Sequence, residues 1–424
     1  MKRILILNSA DRGHHPRYAR WILESALVRD AEVILAGPVE LLEHGELKAI
    51  ARRFQSHPVE VPAQQETALS KPPSTDALIR REFAVWKVWR DTYDRVNNAA
   101  PVDLAIIPFA DDCLNAIALK GSPFRKTPWM SITLRQMFHF KRVGVSAPRP
   151  RLAAVRGWLF RRALHNPCLA GLFTIDPTLD EYANRYLREG ERKRLIFLPD
   201  PAVDHALPPA VTARESLGIP KDAKVVLAYG SLAERKGIRA LIECASDAQC
   251  PLNVYVLLAG EPTPEIAAFL AGEAASALQR QNRLKIVDGY VSDSEEATLL
   301  AAADCMWIVY RGFYQMSGAQ VLAARHGIPC LVSNAGVTGY LTNKLQLGLI
   351  VDPDDRKAIL AALQQISRDA GLLAAKGQMA MRAFSRHSVA DFQNSIGSII
   401  ESTGCDHSPA PPPALPEDAH ERRA

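Results

Sequence analysis

Residues 305–336 read CMWIVYRGFYQMSGAQVLAARHGIPCLVSNAG. Cys305–Tyr310 is a short apolar run, as expected for a strand covered on both faces. Arg311–Met316 fits neither the helical nor the strand period and reads as a loop. Ser317-Gly318 then opens a helix: Ser is a favoured N-cap, and Val321, Leu322 and Ala324 follow at helical spacing. Gly327 ends the helix, Pro329 bars its continuation, and Cys330–Ser333 is the next strand. A helix amino end at the carboxyl edge of a parallel strand suits an anion, because free N–H groups and the positive end of the dipole face it. The same stretch also reads as an ordinary strand–helix–strand unit with a capped helix.

The 424 residues, with 51 Lys and Arg against 46 Asp and Glu, suggest two domains with ample cores and a mild net charge of +5. No run approaches the roughly 20 apolar residues of a membrane helix. The opening MKRILILNSA is too short and strand-like for a signal peptide, so a cytoplasmic location is expected. The seven cysteines form no CxxC pair, which argues against a structural metal or a disulfide framework.

His326–Gly336 (HGIPCLVSNAG) and Leu347–Leu363 (LGLIVDPDDRKAILAAL) together resemble the donor half of retaining GT-B glycosyltransferases, in particular the family-4 group. The resemblance implies an α/β fold of two Rossmann-like, doubly wound domains facing each other across a cleft, with a C-terminal helix crossing back. On that basis residues 1–205 form the acceptor-side domain and 206–385 the donor-binding domain. Residues 386–402 form the crossover helix and 403–424 a Pro-rich, disordered tail. The implied activity is transfer of a sugar, with retention, from a nucleotide diphosphate sugar to a glycan or lipid-linked acceptor. No cofactor or metal is required beyond the donor.

In chain order, Arg3–Asn8 is a strand, Ser9–His15 (SADRGHH) its exit loop, and Pro16 fits the first turn of a helix. Gly13, His14 and His15 are candidates for the acceptor side of the cleft; the alternative is a solvated loop. Asp103–Pro108 is a strand whose exit carries Asp111 and Asp112, adjacent carboxylates able to hold a metal or a sugar hydroxyl but pointing apart, so not a preformed acid/base pair. After the strand Trp129–Leu134 the resemblance implies an active-site histidine. That position is Arg135, so the catalytic candidates are Arg135 and His139, one helical turn on; a lone His among aromatics is also a common structural residue.

Gly230-Ser231, followed by Arg235, Lys236 and Gly237, resembles the Gly-Arg-Leu…Lys-Gly element that grips the donor diphosphate, with Ser231 in place of the arginine. A cation at a helix start after a strand suits a diphosphate physically. Gly289, Tyr290 and Val291 occupy the stretch whose backbone would meet the nucleobase. The family's two glutamates align with Tyr314 and Leu322, so both carboxylates are missing. Gln320 is the nearest polar replacement, and Ser317 and Gly318 could bind the diphosphate through backbone N–H groups.

From Cys113 to Ile175 there is no Asp or Glu, while eleven cations run from Lys120 to Arg162, interleaved with Trp158, Leu159 and Phe160. This span reads as a basic rim paired elsewhere, as a site for an anionic acceptor, or as a surface for an anionic membrane with Trp158 and Phe160 inserting. The last would place the protein peripherally at the inner face of the plasma membrane. Nucleic acid is not expected, since no base-reading motif accompanies the charge. The leading expectation is a glycosyltransferase of polysaccharide or glycolipid synthesis. The rivals are a non-catalytic GT-B protein that binds a nucleotide sugar or a partner, and a nucleotide-sugar epimerase.

Overall fold

The computed structural model describes residues 1–62 and 75–403. The polar, Pro-containing stretch Gln64–Thr75 reads from the sequence as a connector; it, except its last residue, and the tail from Gly404 lie outside the described residues.

Among the described residues the first half forms a parallel seven-stranded sheet. Its strands are β1 (Arg3–Leu7), β2 (Glu32–Gly37), β3 (Gln55–Pro58), β4 (Leu104–Ile107), β5 (Trp129–Thr133), β6 (Leu169–Thr174) and β7 (Leu195–Phe197), in spatial order β3-β2-β1-β4-β5-β6-β7. The second half forms a six-stranded parallel sheet from β8 (Lys224–Tyr229), β9 (Val254–Ala259), β10 (Leu284–Val287), β11 (Cys305–Ile308), β12 (Cys330–Ser333) and β13 (Gly348–Val351). Its order is β10-β9-β8-β11-β12-β13. Both are doubly wound α/β sheets, as the strands' near-continuous apolar runs require: strands such as WMSIT at β5 and VYVLLA at β9 are buried throughout.

In each sheet the strand order reverses beside the first strand, at β1/β4 and at β8/β11. Loops leaving the carboxyl ends at such a point diverge and open a crevice. These loops are residues 8–14 and 108–113 in the first half and 230–237 and 309–317 in the second, and His14 of the first meets Gly318 just after the last.

Contacts at several places tie the halves across the crevice. The Gly336 N–H, at the amino end of the Gly336–Leu345 helix, donates to the Ser146 carbonyl at 2.7 Å. Tyr340 donates to Glu181 at 2.7 Å, and Lys344 pairs with the same carboxylate at 3.0 Å. Arg17 lies 4.0 Å from Asp293. The Val389–Ser402 helix packs on the first half: the Phe392 ring meets Tyr18 and Trp21 at 5.4 and 5.9 Å, and its Gly397 leaves no room for a side chain beside Arg29.

From the sequence, Asp76–Asn98 reads as one amphipathic helix with Ile79, Phe83, Trp86, Tyr93 and Val96 on its core line; it is observed over Thr75–Ala99, but its buried line runs through Val85, Trp89, Tyr93 and Val96, and Ile79 is exposed. The exposed short strand β3 carries no apolar pattern, which is why the sequence does not announce it.

Candidate active site

On the second domain the site is built around the loop after β8. Gly230 adopts φ +86° and Gly237 φ +67°, so the chain turns sharply twice within eight residues. Neither position tolerates a side chain: a Cβ on Gly237 would sit 2.4 Å from the Val309 carbonyl, and one on Gly230 would sit 2.9 Å from the Lys236 ammonium. The Trp307 indole N–H, fully buried under the loop, donates to the Lys236 carbonyl at 2.8 Å. Lys236 is itself buried, and its ammonium donates to the Tyr229 carbonyl. Burial, and then the neighbouring Arg235, pull its pKa down to about 7. A lysine held this way is primed for an anion, since the anion restores the charge that burial disfavours.

Arg235 lies over an aromatic platform, 5.9 Å from the Tyr310 centroid and 5.4 Å from that of Phe313, and its carbonyl accepts from the Arg311 N–H at 2.7 Å. Ser317 stands at the start of the Gly318–Arg325 helix, but its hydroxyl bonds Tyr310 and does not cap the helix. The first N–H groups of that helix therefore receive no side-chain cap from Ser317. Ser231 is exposed beside the turn. Gly289 (φ +99°) and Tyr290, 81% exposed, form the rim after β10, with Val291 half-buried behind them.

On this domain one sequence candidate, Gln320, does not reach the cleft. Gln320 has no accessible surface; its amide donates to the Thr342 hydroxyl at 2.8 Å and ties two helices together. Leu322, in one of the missing carboxylate positions, is likewise core, while Tyr314 packs its backbone on Gly336.

On the first domain, Gly13 (φ +64°) turns the loop into the His15–Leu27 helix, and the two histidines part company. His15 turns inward, stacks on Phe109 at 3.7 Å and meets the Asn8 amide oxygen at 2.7 Å through Nδ1; burial lowers its pKa. His14 stays exposed and faces the second domain, its Cε1 3.5 Å from where a Cβ on Gly318 would begin.

Both aspartates of the β4 exit serve the scaffold. Asp111 accepts from the Leu134 N–H at 2.6 Å, the Thr133 hydroxyl and the Gln136 amide at 2.9 Å, and the Arg135 N–H at 3.3 Å. Asp112 pairs with Arg81 at 2.8 Å and accepts from Ser9. They pin loops, and neither is free for substrate in this arrangement.

Arg135 is exposed, with its backbone fixed by Asp111. His139 corrects the sequence expectation. It has no accessible surface and lies among Phe138, Phe140 and Tyr182. Its Nε2 lies 2.9 Å from Thr178 Oγ1 and 3.2 Å from Asp176. It cannot touch a sugar from there.

Residues that the motifs did not flag complete the site. Asp200, buried at the β7 exit, accepts from the Tyr18 hydroxyl, and burial raises its pKa. Arg17 lies in the first turn of its helix, where a cation opposes the dipole; that misplaced charge was the available signal. Tyr310 and Phe313 carry none beyond their place at a strand end.

The basic span divides. Arg125 pairs with Asp94 and Arg161 with Glu191, each at 2.8 and 2.7 Å respectively, and Phe160 is buried, so it cannot insert into a bilayer. Trp158 (54% exposed), Leu152 and Val155 do face outward, beside exposed Lys141, Arg149, Arg151 and Arg156. Among the described residues no helix is long and apolar enough to cross a membrane.

Residues 223–369 match the family model described as Glycosyl transferases group 1. No curated protein matches the chain in sequence. Among solved structures, the sucrose-phosphate synthase of Thermosynechococcus elongatus is similar, with a TM-score of 0.64 at 16% identity over 95% of this chain and 99% of that one. Anabaena HepE, in complex with UDP and glucose, gives 0.62 at 16% identity over 95% and 100%. WaaG, a glycosyltransferase involved in lipopolysaccharide biosynthesis, gives 0.61 at 15% identity over 94% and 99%. The chain has the GT-B fold, and its residues 223–369 are similar to the glycosyl transferases group 1.

Proposed function

We propose that the protein transfers a sugar from a nucleotide diphosphate sugar to a glycan or lipid-linked acceptor, with retention at the anomeric carbon. The observation that carries this is the convergence of buried Lys236, Arg235 on its aromatic platform and the start of the Gly318–Arg325 helix on one face of the cleft. As the bond between the anomeric carbon and the diphosphate oxygen breaks, the nucleoside diphosphate leaves with the electron pair. Cations and N–H groups already aimed at it stabilise that charge without reorganisation. HepE, of the same fold, is named as a complex with UDP and glucose, which supports a uridine donor as the first to try.

The acceptor would reach the cleft from an anionic membrane. The outward residues Leu152, Val155 and Trp158, with the cations around them, form a surface that can lie on acidic headgroups, at the inner face of the plasma membrane and in the service of polysaccharide or glycolipid synthesis.

A second reading, a GT-B protein that binds a nucleotide sugar without turnover, is favoured by Tyr314 and buried Leu322 where the family has carboxylates. Calorimetric titration with UDP, GDP and ADP tests the donor site common to both. One nucleotide should bind, and Lys236→Ala should weaken it about tenfold or more, as loss of a charge-assisted contact does. Binding by none of the three would remove the basis of either reading; binding without sugar transfer to any acceptor would leave the second.

A further inference from the structure

The chain crosses between the domains near residues 200–205, and this linker is gripped residue by residue. At its start, the Ala202 N–H donates to the His387 carbonyl at 3.0 Å, and His387 Nδ1 lies 3.0 Å from the Asp200 carbonyl. The next residues are held by the second domain. His326 Nε2 lies 3.3 Å from the Val203 carbonyl, Arg325 pairs with Asp204, and His205 Nε2 meets a Glu296 carboxylate oxygen at 2.5 Å. The His205 ring also stacks on that of His326, with centroids 5.7 Å apart. The His205–Glu296 pair is buried on both sides, each side chain being 6% exposed.

Glu296, on the Asp293–Ala302 helix, accepts from the Tyr229 hydroxyl with its other oxygen. Burial and the carboxylate raise the Tyr229 pKa, so the phenol keeps its proton and is the donor. Tyr229 ends β8, and its carbonyl is the acceptor that holds the Lys236 ammonium. A continuous line of polar contacts therefore runs from the linker through His205, Glu296 and Tyr229 to the donor loop. Arg17 brings the first domain to the same place. Its guanidinium lies 3.4 Å from Glu46, which also pairs with Arg20, and 4.0 Å from Asp293, one turn before Glu296; it feels the charge of Glu296 as well. A buried carboxylate with two donors and a nearby cation depends on all of them staying in place.

We propose that Glu296 is a positioning residue for the donor site, coupling the placement of the Lys236 ammonium to the interdomain linker. The proposal rests on the donor reading above and deepens it, because it says what regulates that site. Lys236 meets an incoming diphosphate from its seat on the Tyr229 carbonyl, so the direction of that carbonyl sets where the ammonium points. The Tyr229 ring is pinned by Glu296, and Glu296 by His205. A turn of the linker that withdraws His205 leaves the carboxylate short of a donor, and Tyr229, bonded to its other oxygen, shifts with it. A displacement of about 1 Å in an anchoring group is enough to spoil a contact made at a fixed distance. A purely structural role for Glu296 rests on the same contacts but has a different consequence: lower stability, with the nucleotide affinity of the folded protein unchanged.

The test is a double-mutant cycle read by calorimetric titration of UDP, GDP and ADP into the full chain. Glu296→Gln keeps the shape and loses the charge; Tyr229→Phe loses one hydroxyl and keeps the ring, so it remains informative if Glu296→Gln fails to fold. Each should bind the preferred nucleotide about fivefold more weakly than wild type. His205→Phe, which keeps a ring against His326 but cannot donate, should weaken binding in the same direction. In a Lys236→Ala background all three changes should cost less than about twofold, because the group they position is gone. If the folded variants bind as wild type does, or if their losses add in full to that of Lys236→Ala, the proposal is overturned while the donor site stands. If no nucleotide binds the wild type, the donor reading fails and carries this one with it.

Discussion

The two domains share one architecture and dispose of their charges in opposite ways. In the first, the carboxylates at the strand exits face inward: Asp111 holds the loop after β5, Asp112 holds Arg81 and Ser9, Asp176 holds Thr178 and Asp200 holds Tyr18. In the second, the matching loops carry cations, and one of them, Lys236, is buried with its ammonium on the Tyr229 carbonyl and 5.9 Å from the Tyr310 ring centroid, with no carboxylate paired to it among the described residues. The first domain has used its charged groups to fix loop shape. The second has left one unbalanced, and an unbalanced buried charge is stabilised only when a ligand supplies the counter-charge. Rigidity is built on one side of the cleft and, in the function proposed, affinity on the other.

The contrast breaks most visibly at Asp111. Asp111→Ala leaves two backbone N–H groups and two side chains of the 133–136 loop without their acceptor. Each unsatisfied buried donor costs on the order of 1 kcal/mol or more, so the loss should be about 3 kcal/mol in chemical denaturation. Nucleotide affinity, set on the other domain, should change by less than about threefold in Kd. A loss of binding as large as that of Lys236→Ala would show Asp111 to belong to the site and not to the scaffold.

Lys236→Met should move the other way. Burial lowers the folded-state pKa from 10.5 to about 7, so between those limits the unfolded chain holds more protons than the folded one. Stability contributed by this group therefore rises with pH through that window, and the buried charge is most destabilising below it. At neutral pH the methionine variant should be more stable by about 1–2 kcal/mol, after the lost bond to the Tyr229 carbonyl is counted. The gain should shrink as pH rises toward 10, and nucleotide binding should collapse. A variant less stable than wild type at neutral pH would mean that the ammonium is already compensated in the empty protein.

The same contrast explains what the sequence could say about the site. The strand, glycine turn and cation of 224–237 are consecutive, so their geometry is local and the resemblance to the Gly-Arg-Leu…Lys-Gly element could locate them. The Cys305–Gly336 stretch likewise places its loop and helix correctly. Orientation around a helix is a different matter. Gln320 sits one turn after Ser317, yet its partner Thr342 belongs to another helix, and that pairing turns it inward. His139 meets Asp176 and Thr178, more than thirty residues on, and those partners make it core. His14 and His15 differ by about 100° around one helix. Which of them faces the cleft was decided by Asn8 and Phe109, on two different strand exits. Position along the chain was readable, whereas facing depended on distant contacts.

The weakest expected effect lies at the rim where the domains meet. Glu181 accepts from Tyr340 and pairs with Lys344 across the cleft, and with Arg185 on its own helix at 2.7 Å. Lys344 and Arg185 are about half exposed, so solvent screens both pairs, and the median worth of such bridges is below about 1 kcal/mol. Glu181→Gln keeps an acceptor for the Tyr340 hydroxyl and removes only the charge. Stability should fall by no more than about 0.5 kcal/mol, and the change should vanish in high salt. Its use is in separating the two edges of the cleft. If the rim pair held the domains together, Glu181→Gln would loosen closure and weaken nucleotide binding. If closure instead depends on the anion at the donor loop, the rim variant should bind nucleotide as the wild type does, at low and at high salt alike.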